Sequence, residues 1–309
     1  MEKEKNFFEK TIVVWAGALI CCLLWGSAFP CIKIGYSLTG IASDETARQI
    51  LYAGMRFTIA GVMAIILGSC LQKKVLLPTS ASIPKIIWLS ILQTVVQYIF
   101  FYVGLAHTSG VKASIIEGMN VFVAIVVAAL IFHQEKINSR KAIGCIIGFV
   151  GVVLVNMTGS GMDMGFSLNG EGFIFLSTVS YAFSSVFLKK YSKTENPVML
   201  SGYQFVVGGI IMMLVGYFMG GRVSITGYSS FAMLLYLAFI SAVAYSLWGI
   251  LLKHNPVSRV AVFGFMNPVF GFILSALLLK EGSVMSLQTI MALVLVCLGI
   301  YIVNASDQK

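Results

Sequence analysis

Arg56 and Glu117 are ionisable side chains set inside long apolar stretches, and they are the first residues here that could do chemistry. If those stretches cross a bilayer, a charge near its centre costs about 2.5–3.5 kcal/mol and must be paired, hydrated or useful. Counted along their helices from the same membrane surface, both fall on the order of 10 Å deep. That match allows an ion pair, a couple that binds substrate, or a structural salt bridge and a snorkelling arginine. At the corresponding positions of the second half stand Gln204 and Phe263, so the charges belong to the first half alone. Lys33, nearer the end of its own stretch, reads as a snorkelling anchor.

Uncharged polar residues fall into stripes at helical spacing. Gln93 and Gln97 lie four apart with Tyr98 and Tyr102 alongside, and two amides turned to lipid would be expensive. Ser114, Glu117 and Asn120 share one face, as do Ser241, Tyr245 and Trp248. Gly264, Asn267, Gly271 and Ser275 recur every three to four residues, beside Pro268. Small residues at that spacing let helices pack closely, while Asn267 among them also suits a cavity wall. Trp25 and Tyr181 occupy matching places in the two halves. As single aromatics they would suit the lipid interface, but polar neighbours draw them toward a cavity. The expected substrate-binding or coupling set is therefore Arg56, Glu117, Asn120, Gln93, Gln97, Trp25, Tyr181, Gln204, Tyr245, Trp248 and Asn267. Glu135 and Glu281 close matching stretches and are expected at the water interface, capping helix ends.

Other chemistries find no residues to carry them. The sequence has no G-x-x-x-x-G-K-[ST] loop for nucleotide phosphates, no H-E-x-x-H pair and no G-x-S-x-G elbow. His107, His133 and His254 stand singly, so no metal site is expected. The six cysteines lie in apolar runs without C-x-x-C spacing and read as small buried hydrophobes. No catalytic residue and no cofactor are expected. Asn156-Met157-Thr158 fits a glycosylation sequon, which has meaning only in a eukaryotic secretory pathway. The net charge of +9 sits in short clusters between apolar runs, where lipid headgroups account for it and nucleic acid does not.

The elements that must position these residues are membrane spans. Hydrophobic residues make up 58% of the 309 and charged residues 11%. With so little polar surface to cover so much apolar surface, the bilayer has to be the solvent. Runs long enough to cross it lie at about 11–36, 46–70, 84–105, 112–133, 140–157, 170–188, 199–219, 229–251, 258–279 and 285–303. The first run follows Lys3, Lys5 and Lys10, reaches about Ile34 and meets no small-residue cleavage site, so it reads as a retained helix and not a signal peptide. With the N-terminus inside, fifteen Lys and Arg fall on the inner segments, and only Arg48, Lys112, Arg222 and Lys280 on the outer ones. That bias places both termini in the cytoplasm.

The halves resemble each other at an offset of roughly 146–156 residues. Ala53-Gly54-Met55-Arg56-Phe57 with Ala60-Gly61 matches Ser201-Gly202-Tyr203-Gln204-Phe205 with Gly208-Gly209. The stretch ending in Glu135 matches that ending in Glu281, Gly151 to Asn156 matches Gly299 to Asn304, and Trp25 to Lys33 weakly matches Tyr181 to Lys189. An odd number of spans per copy inverts the second copy in the membrane, the arrangement by which many carriers expose a central site to each side in turn. The fold expected is an all-α integral membrane protein of ten transmembrane helices, two inverted five-helix repeats (5+5) at 11–157 and 170–304.

Trp25-Gly26-Ser27-Ala28-Phe29-Pro30, Arg56-Phe57, and Gly264 to Val269 running on to Leu279-Lys280-Glu281 resemble the drug/metabolite transporter superfamily, EamA type. The resemblance covers nearly the whole chain as two EamA units. It implies a 5+5 carrier that moves small metabolites, often outward. Glu117-Gly118-Met119-Asn120 departs from that pattern, because small uncharged residues and often a proline are usual there. The function expected is a secondary transporter in the cytoplasmic membrane, an exporter working by alternating access on a metabolite, amino acid or drug-like molecule. If transport is proton-coupled, Glu117 is the coupling residue. The alternatives are a channel-like or sensor membrane protein and an intramembrane enzyme. The enzyme would need a convergent nucleophile, base or metal set, and the sequence offers none. Few phosphate-holding cations are placed in the interior, which disfavours phosphorylated substrates.

Overall fold

A computed structural model of the protein describes residues 6–108, 110–156, 167–279 and 287–305. Among these the secondary structure is helical throughout, with no strand. A short turn at Phe7–Glu9, held by an Asn6/Glu9 capping box, leads into α1 (Thr11–Thr39) and α2 (Thr46–Leu71). Then come α3 (Ile83–Leu105), α4 (110–131), α5 (Ser139–Asn156) and α6 (Leu168–Tyr191). The order closes with α7 (Pro197–Phe218), α8 (Tyr228–His254), α9 (257–279) and α10 (Leu287–Ala305). Seven of these, α1, α2, α3, α6, α7, α8 and α9, are long and apolar enough to cross a membrane. α4 and α10 contribute shorter apolar helices. With 29 residues, α1 is about 44 Å long and exceeds the roughly 30 Å of a hydrocarbon core. Ile66, Leu71, Leu130, Ile146, Phe218 and Tyr301 stand more than half exposed on the periphery, where lipid would meet them.

Local chemistry sets the helix ends. Asn196 caps α7 by accepting from the Val198 and Met199 amides, with Pro197 already fixed in helical φ behind it. Gly40 ends α1 at φ +62, a left-handed position that glycine adopts without a Cβ penalty.

Helix interiors hold irregularities that hydropathy does not announce. α3 is π-helical over Ser90–Val96, α4 is interrupted at Met119 and turns π-helical over Val127–Ile131, and α9 tightens to a 3-10 turn over Val262–Phe265. Each irregular turn releases backbone groups from the regular ladder, a common device near functional sites.

Helix pairing has a regular plan. α2 packs along α7, and α5 along α10. α1 rests on α8 and α9, as α6 rests on α3 and α4; α2 meets α8, as α7 meets α3. Exchanging each helix for the one five places away turns this set of contacts into itself. Glycines bring the backbones together at the central crossings. A Cβ on Gly54 would stand 2.8 Å from the Gly209 carbonyl oxygen, and one on Gly61 would stand 2.4 Å from that of Gly202. The difference 202 − 54 and the difference 209 − 61 are both 148, so the two contacts are images of each other. The α5–α10 crossing repeats the pattern at the same offset, with Gly144 on the Gly299 carbonyl and Gly151 on that of Ala292.

Candidate functional site

A small enclosed void lies where α1, α4, α6, α8 and α9 converge. Its walls include Trp25, Asn120, Tyr181, Trp248 and Asn267, five residues expected from the sequence to line a cavity, together with Ser185 and Gly264. The void admits about one water molecule. Position follows from the packing of α1 on α9: Gly26 lies against Phe270, with Gly271 against Phe29, so Trp25 and Asn267 reach the same space. The two readings of the α9 stripe are thereby divided along the helix. Gly271 packs, while Gly264 and Asn267 line the void. The Trp25 ring meets Trp248 and Tyr245 edge-on, each at 5.0 Å between centroids. Its Nε1 and the Asn267 Oδ1 are buried without a hydrogen-bond partner. Buried polar groups are normally satisfied, so these two atoms leave hydrogen-bonding capacity at the void.

Tyr245 joins this void to a second cluster around Arg56. The Tyr245 and Tyr98 hydroxyls are 2.9 Å apart, and the Tyr245 ring meets Phe205 at 4.8 Å. Phe205 stacks on Phe57. Arg56, 5% exposed, lays its guanidinium over Phe57 at 4.4 Å and over Tyr98 at 5.9 Å, contacts that cation–π attraction favours. Tyr36, Tyr98, Tyr102 and Tyr245 pack into the same cluster as Phe57.

The ion pair considered for Arg56 and Glu117 is not formed among the described residues. Neither side chain has a carboxylate or cationic partner, and the Arg56 Nε is buried without an acceptor. The matched depth also changes: Arg56 lies ten residues into α2, about 15 Å, against about 10 Å for Glu117 in α4. Lys33 is exposed on α1.

The glutamines divide by task. Gln204 accepts from the Thr94 hydroxyl at 2.7 Å and donates to Gln93 Oε1 at 3.1 Å, which ties α7 to the π-helical turn of α3. Gln93 and Gln204 are thus an inter-helix link and not open cavity groups. Gln97 is buried with an unpartnered Oε1. The π turn also leaves the Leu92 carbonyl open to the Ser180 hydroxyl at 2.7 Å, which fastens α6.

Both ends of the bundle are tied. On the face where α1 begins, Glu135 accepts from Ser258 N at 3.0 Å and Ser258 Oγ at 2.5 Å, and pairs with Lys141 at 3.1 Å. Glu135 therefore does cap a helix, the start of α9, with its side chain buried by the neighbouring protein groups. Lys189 donates to the Asn255 carbonyl, and Arg259 reaches Thr11 Oγ1 at 3.1 Å and Asn255 Oδ1 at 3.2 Å. On the other face Arg48 donates to Gly40 O at 2.7 Å, Thr39 O at 3.1 Å and Arg222 O at 3.0 Å. Glu281, Lys280 and most of the sequon lie outside the described residues. Among the described residues no group of three His, Cys, Asp or Glu could hold a metal ion.

Sequence reasoning missed Tyr36, Thr94, Ser185 and the Phe57–Phe205 stack. Ser185 was within reach, since it follows Tyr181 by four residues and so shares its helix face. Thr94 was not, because it lies in an irregular turn and its partner Gln204 is on another helix.

A family profile described as "EamA-like transporter family" matches residues 12–157 and 168–305. An uncharacterized transporter of Archaeoglobus fulgidus is 30% identical over 297 residues, covering 94% of this chain and 98% of that one. The WAT1-related chloroplastic protein At3g02690 of Arabidopsis thaliana is 25% identical over 96% of this chain and 70% of its own. The inner membrane transporter YedA of Escherichia coli is 24% identical over 96% and 95%. A solved crystal structure superposes with a TM-score of 0.78 at 17% identity, over 96% of this chain and 97% of that chain.

Proposed function

We propose that this chain, which belongs to the EamA-like transporter family, is a secondary carrier that moves a small molecule outward across the cytoplasmic membrane by alternating access. Family and relatives are transporters and not enzymes. With its apolar helices, the chain is a multi-pass membrane protein. The finer reading is a ten-helix bundle of two inverted five-helix repeats, 11–157 and 170–304, with both termini in the cytoplasm. The reciprocal pairing of α1–α5 with α6–α10, and the glycine contacts that map onto each other at one offset, support it. The Lys and Arg bias supports the orientation.

One observation carries the functional reading. An enclosed void, walled by side chains of both halves and edged by unpaired polar atoms, sits between two tied ends. Inverted repeats that rock about such a centre open it to one side at a time. The void's small size corresponds to a closed form, and substrate enters when the walls part. The tie at Glu135, Lys141 and Ser258 would be the cytoplasmic seal. Glu117, on the α4 face that also carries Asn120, would bind the proton if export is driven by proton exchange.

Counterflow in proteoliposomes tests this with labelled amino acids, nucleosides, polyamines and aromatic drugs. Saturable uptake against internal unlabelled substrate is expected for one chemical class, with Trp25→Ala and Trp248→Ala reducing it at least tenfold. Flux that never saturates, or that survives both substitutions unchanged, contradicts the carrier and its site.

A further inference from the structure

We propose that a cleft at the end of the bundle opposite the start of α1 binds the phosphate headgroup of an anionic phospholipid, with Arg222 as its ligand. The inference stands apart from the central void and from the transport reading.

The cleft lies between the last turn of α1, the first turns of α2, the end of α7 and the segment that joins α7 to α8. Its volume is about 470 Å³, within the roughly 300–1,000 Å³ usual for small-molecule sites. Arg48 and Arg222 stand on its wall, and no acidic side chain does. The two guanidiniums have different tasks. Arg48 has all three nitrogens engaged: Nε with the Arg222 carbonyl at 3.0 Å, Nη2 with Thr39 O at 3.1 Å, and Nη1 with both Gly40 O and the Glu45 carboxylate at 2.7 Å. It fixes the segment that carries Arg222, and Glu45 offsets its charge. Arg222 is anchored by one nitrogen. Its Nη1 donates to the Gly221 and Tyr217 carbonyls at 2.7 Å and 3.1 Å, and its guanidinium lies over the Tyr217 ring at 4.0 Å. Nε and Nη2 have no partner among the described residues. Those two nitrogens form one edge of the fork, the geometry that takes a phosphate by two parallel hydrogen bonds. The Ser224 and Thr226 hydroxyls on the same wall supply further donors.

A tie at this corner does not require charge. Asn196, 148 residues after Arg48 and so its image in the second half, joins the start of α7 to the segment after α2 through Gln72 at 2.7 Å, with neutral amides alone. Basic residues are also scarce on this side. Two of the four on the outer segments meet in this cleft, against the bias that gathers Lys and Arg on the inner side.

The rest of the lining selects a lipid over a soluble phosphate. Leu38, Leu51 and Tyr217 make the remaining wall largely apolar. From Tyr217 the exposed side chains of Leu214 and Ile210 continue along α7 at helical spacing. A headgroup on Arg222 therefore leaves its acyl chains along a strip that lipid would cover. Basic pockets at helix ends take anionic headgroups in this way. The ammonium of a zwitterionic headgroup would find no acid on the wall.

Native mass spectrometry of the full chain, released from detergent and titrated with phosphatidylglycerol, phosphatidylcholine or glycerol 3-phosphate, tests the proposal. The expected result is one phosphatidylglycerol bound saturably and more tightly than either other probe. Losing a charged two-point contact should weaken that binding about tenfold in Arg222→Gln. Arg222→Lys should recover part of the loss, since it restores the charge without the fork. Thr226→Trp, which fills the cleft and keeps both arginines, should weaken binding as well. Lys253→Gln, an equal loss of charge on the opposite face, should not. Unfolding midpoints in lipid-free detergent check that each variant is folded, and if Arg222→Gln is not, Thr226→Trp decides. Phosphatidylglycerol bound no tighter than phosphatidylcholine, an equal loss in Lys253→Gln, or undiminished binding by folded Thr226→Trp overturns the proposal. Glycerol 3-phosphate bound as tightly as the lipid overturns the lipid as occupant and assigns the cleft to a soluble phosphate.

Discussion

The side chains of the interior fall into two groups, those that finish their hydrogen bonds within the fold and those that do not, and substitution should separate them. Gln204, Gln93 and Thr94 satisfy one another between α7 and α3. Gln204→Leu would strand a buried hydroxyl and a buried amide, so a loss of about 1–3 kcal/mol is expected, read as a lower unfolding midpoint in detergent. Gln97→Leu removes an oxygen that has no partner, and stability should hold or rise while transport falls. At the membrane surface, the Glu195 carboxylate accepts from Lys85 at 2.6 Å and Ser82 at 2.8 Å. Bonding to Lys85 first, then to Ser82, holds its pKa below the usual carboxylate range. A depressed carboxylate stabilises the fold above its unfolded value of about 4.3, and that stability is lost as pH falls through the lower folded value. The unfolding midpoint of Glu195→Gln should therefore fall less steeply below about pH 4 than that of the wild type. Much of the site was legible at this scale. Trp25, Asn120, Tyr181, Trp248 and Asn267 announce themselves as polar or aromatic residues at helical spacing, and they do meet. What spacing cannot reveal is whether a polar atom finds a partner on another helix, which is why Gln204 and Gln97 looked alike.

Helix positions were legible to within a few residues, since hydropathy and caps act locally. Thr46–Leu71 and Ile83–Leu105 stand where 46–70 and 84–105 were expected. Helix irregularities were not, because a π turn such as Ser90–Val96 leaves no mark on hydropathy and depends on the neighbour that takes its free carbonyl. Small residues do mark the close crossings. The α2–α7 contact is the tightest test, where a Cβ on Gly61 would lie 2.4 Å from the Gly202 oxygen and 2.6 Å from Val206 N. Those atoms are backbone and cannot step aside as a flexible side chain would. Gly61→Ala is expected to cost about 1–3 kcal/mol and to lower the unfolding midpoint, whereas Gly249→Ala, whose added Cβ would meet only side chains at 3.3 Å or more, should cost less. Equal midpoints for the two variants would deny that backbone proximity holds α2 to α7.

The whole molecule is an arrangement of two similar halves with a polar centre and a tie at each end. The internal match in sequence foretold the exchange of helix partners, because residues that align across the halves occupy equivalent crossings: Gly54 with Gly202, Gly61 with Gly209, and Gly151 with Gly299. The sequence did not foretell which ties close the ends, since Glu135 and Ser258 lie 123 residues apart and only packing unites them. Removing the Glu135 carboxylate breaks its bonds to Ser258 and Lys141, so Glu135→Gln should populate the form open on that face and raise the labelling rate of an introduced cysteine beside the void. The central claim, that the two halves rock about the void, is tested most directly by electron-spin distance measurements in nanodiscs. The exposed Cys70 and Cys297 would be replaced, with one label pair at Ile137→Cys and Lys253→Cys and another at His107→Cys and Tyr228→Cys on the opposite face. The result expected is two populations at each face, changing in opposite directions in the Glu135→Gln variant, so that one pair lengthens as the other shortens. A single unchanging distance at both faces, in wild type and variant alike, would contradict alternating access.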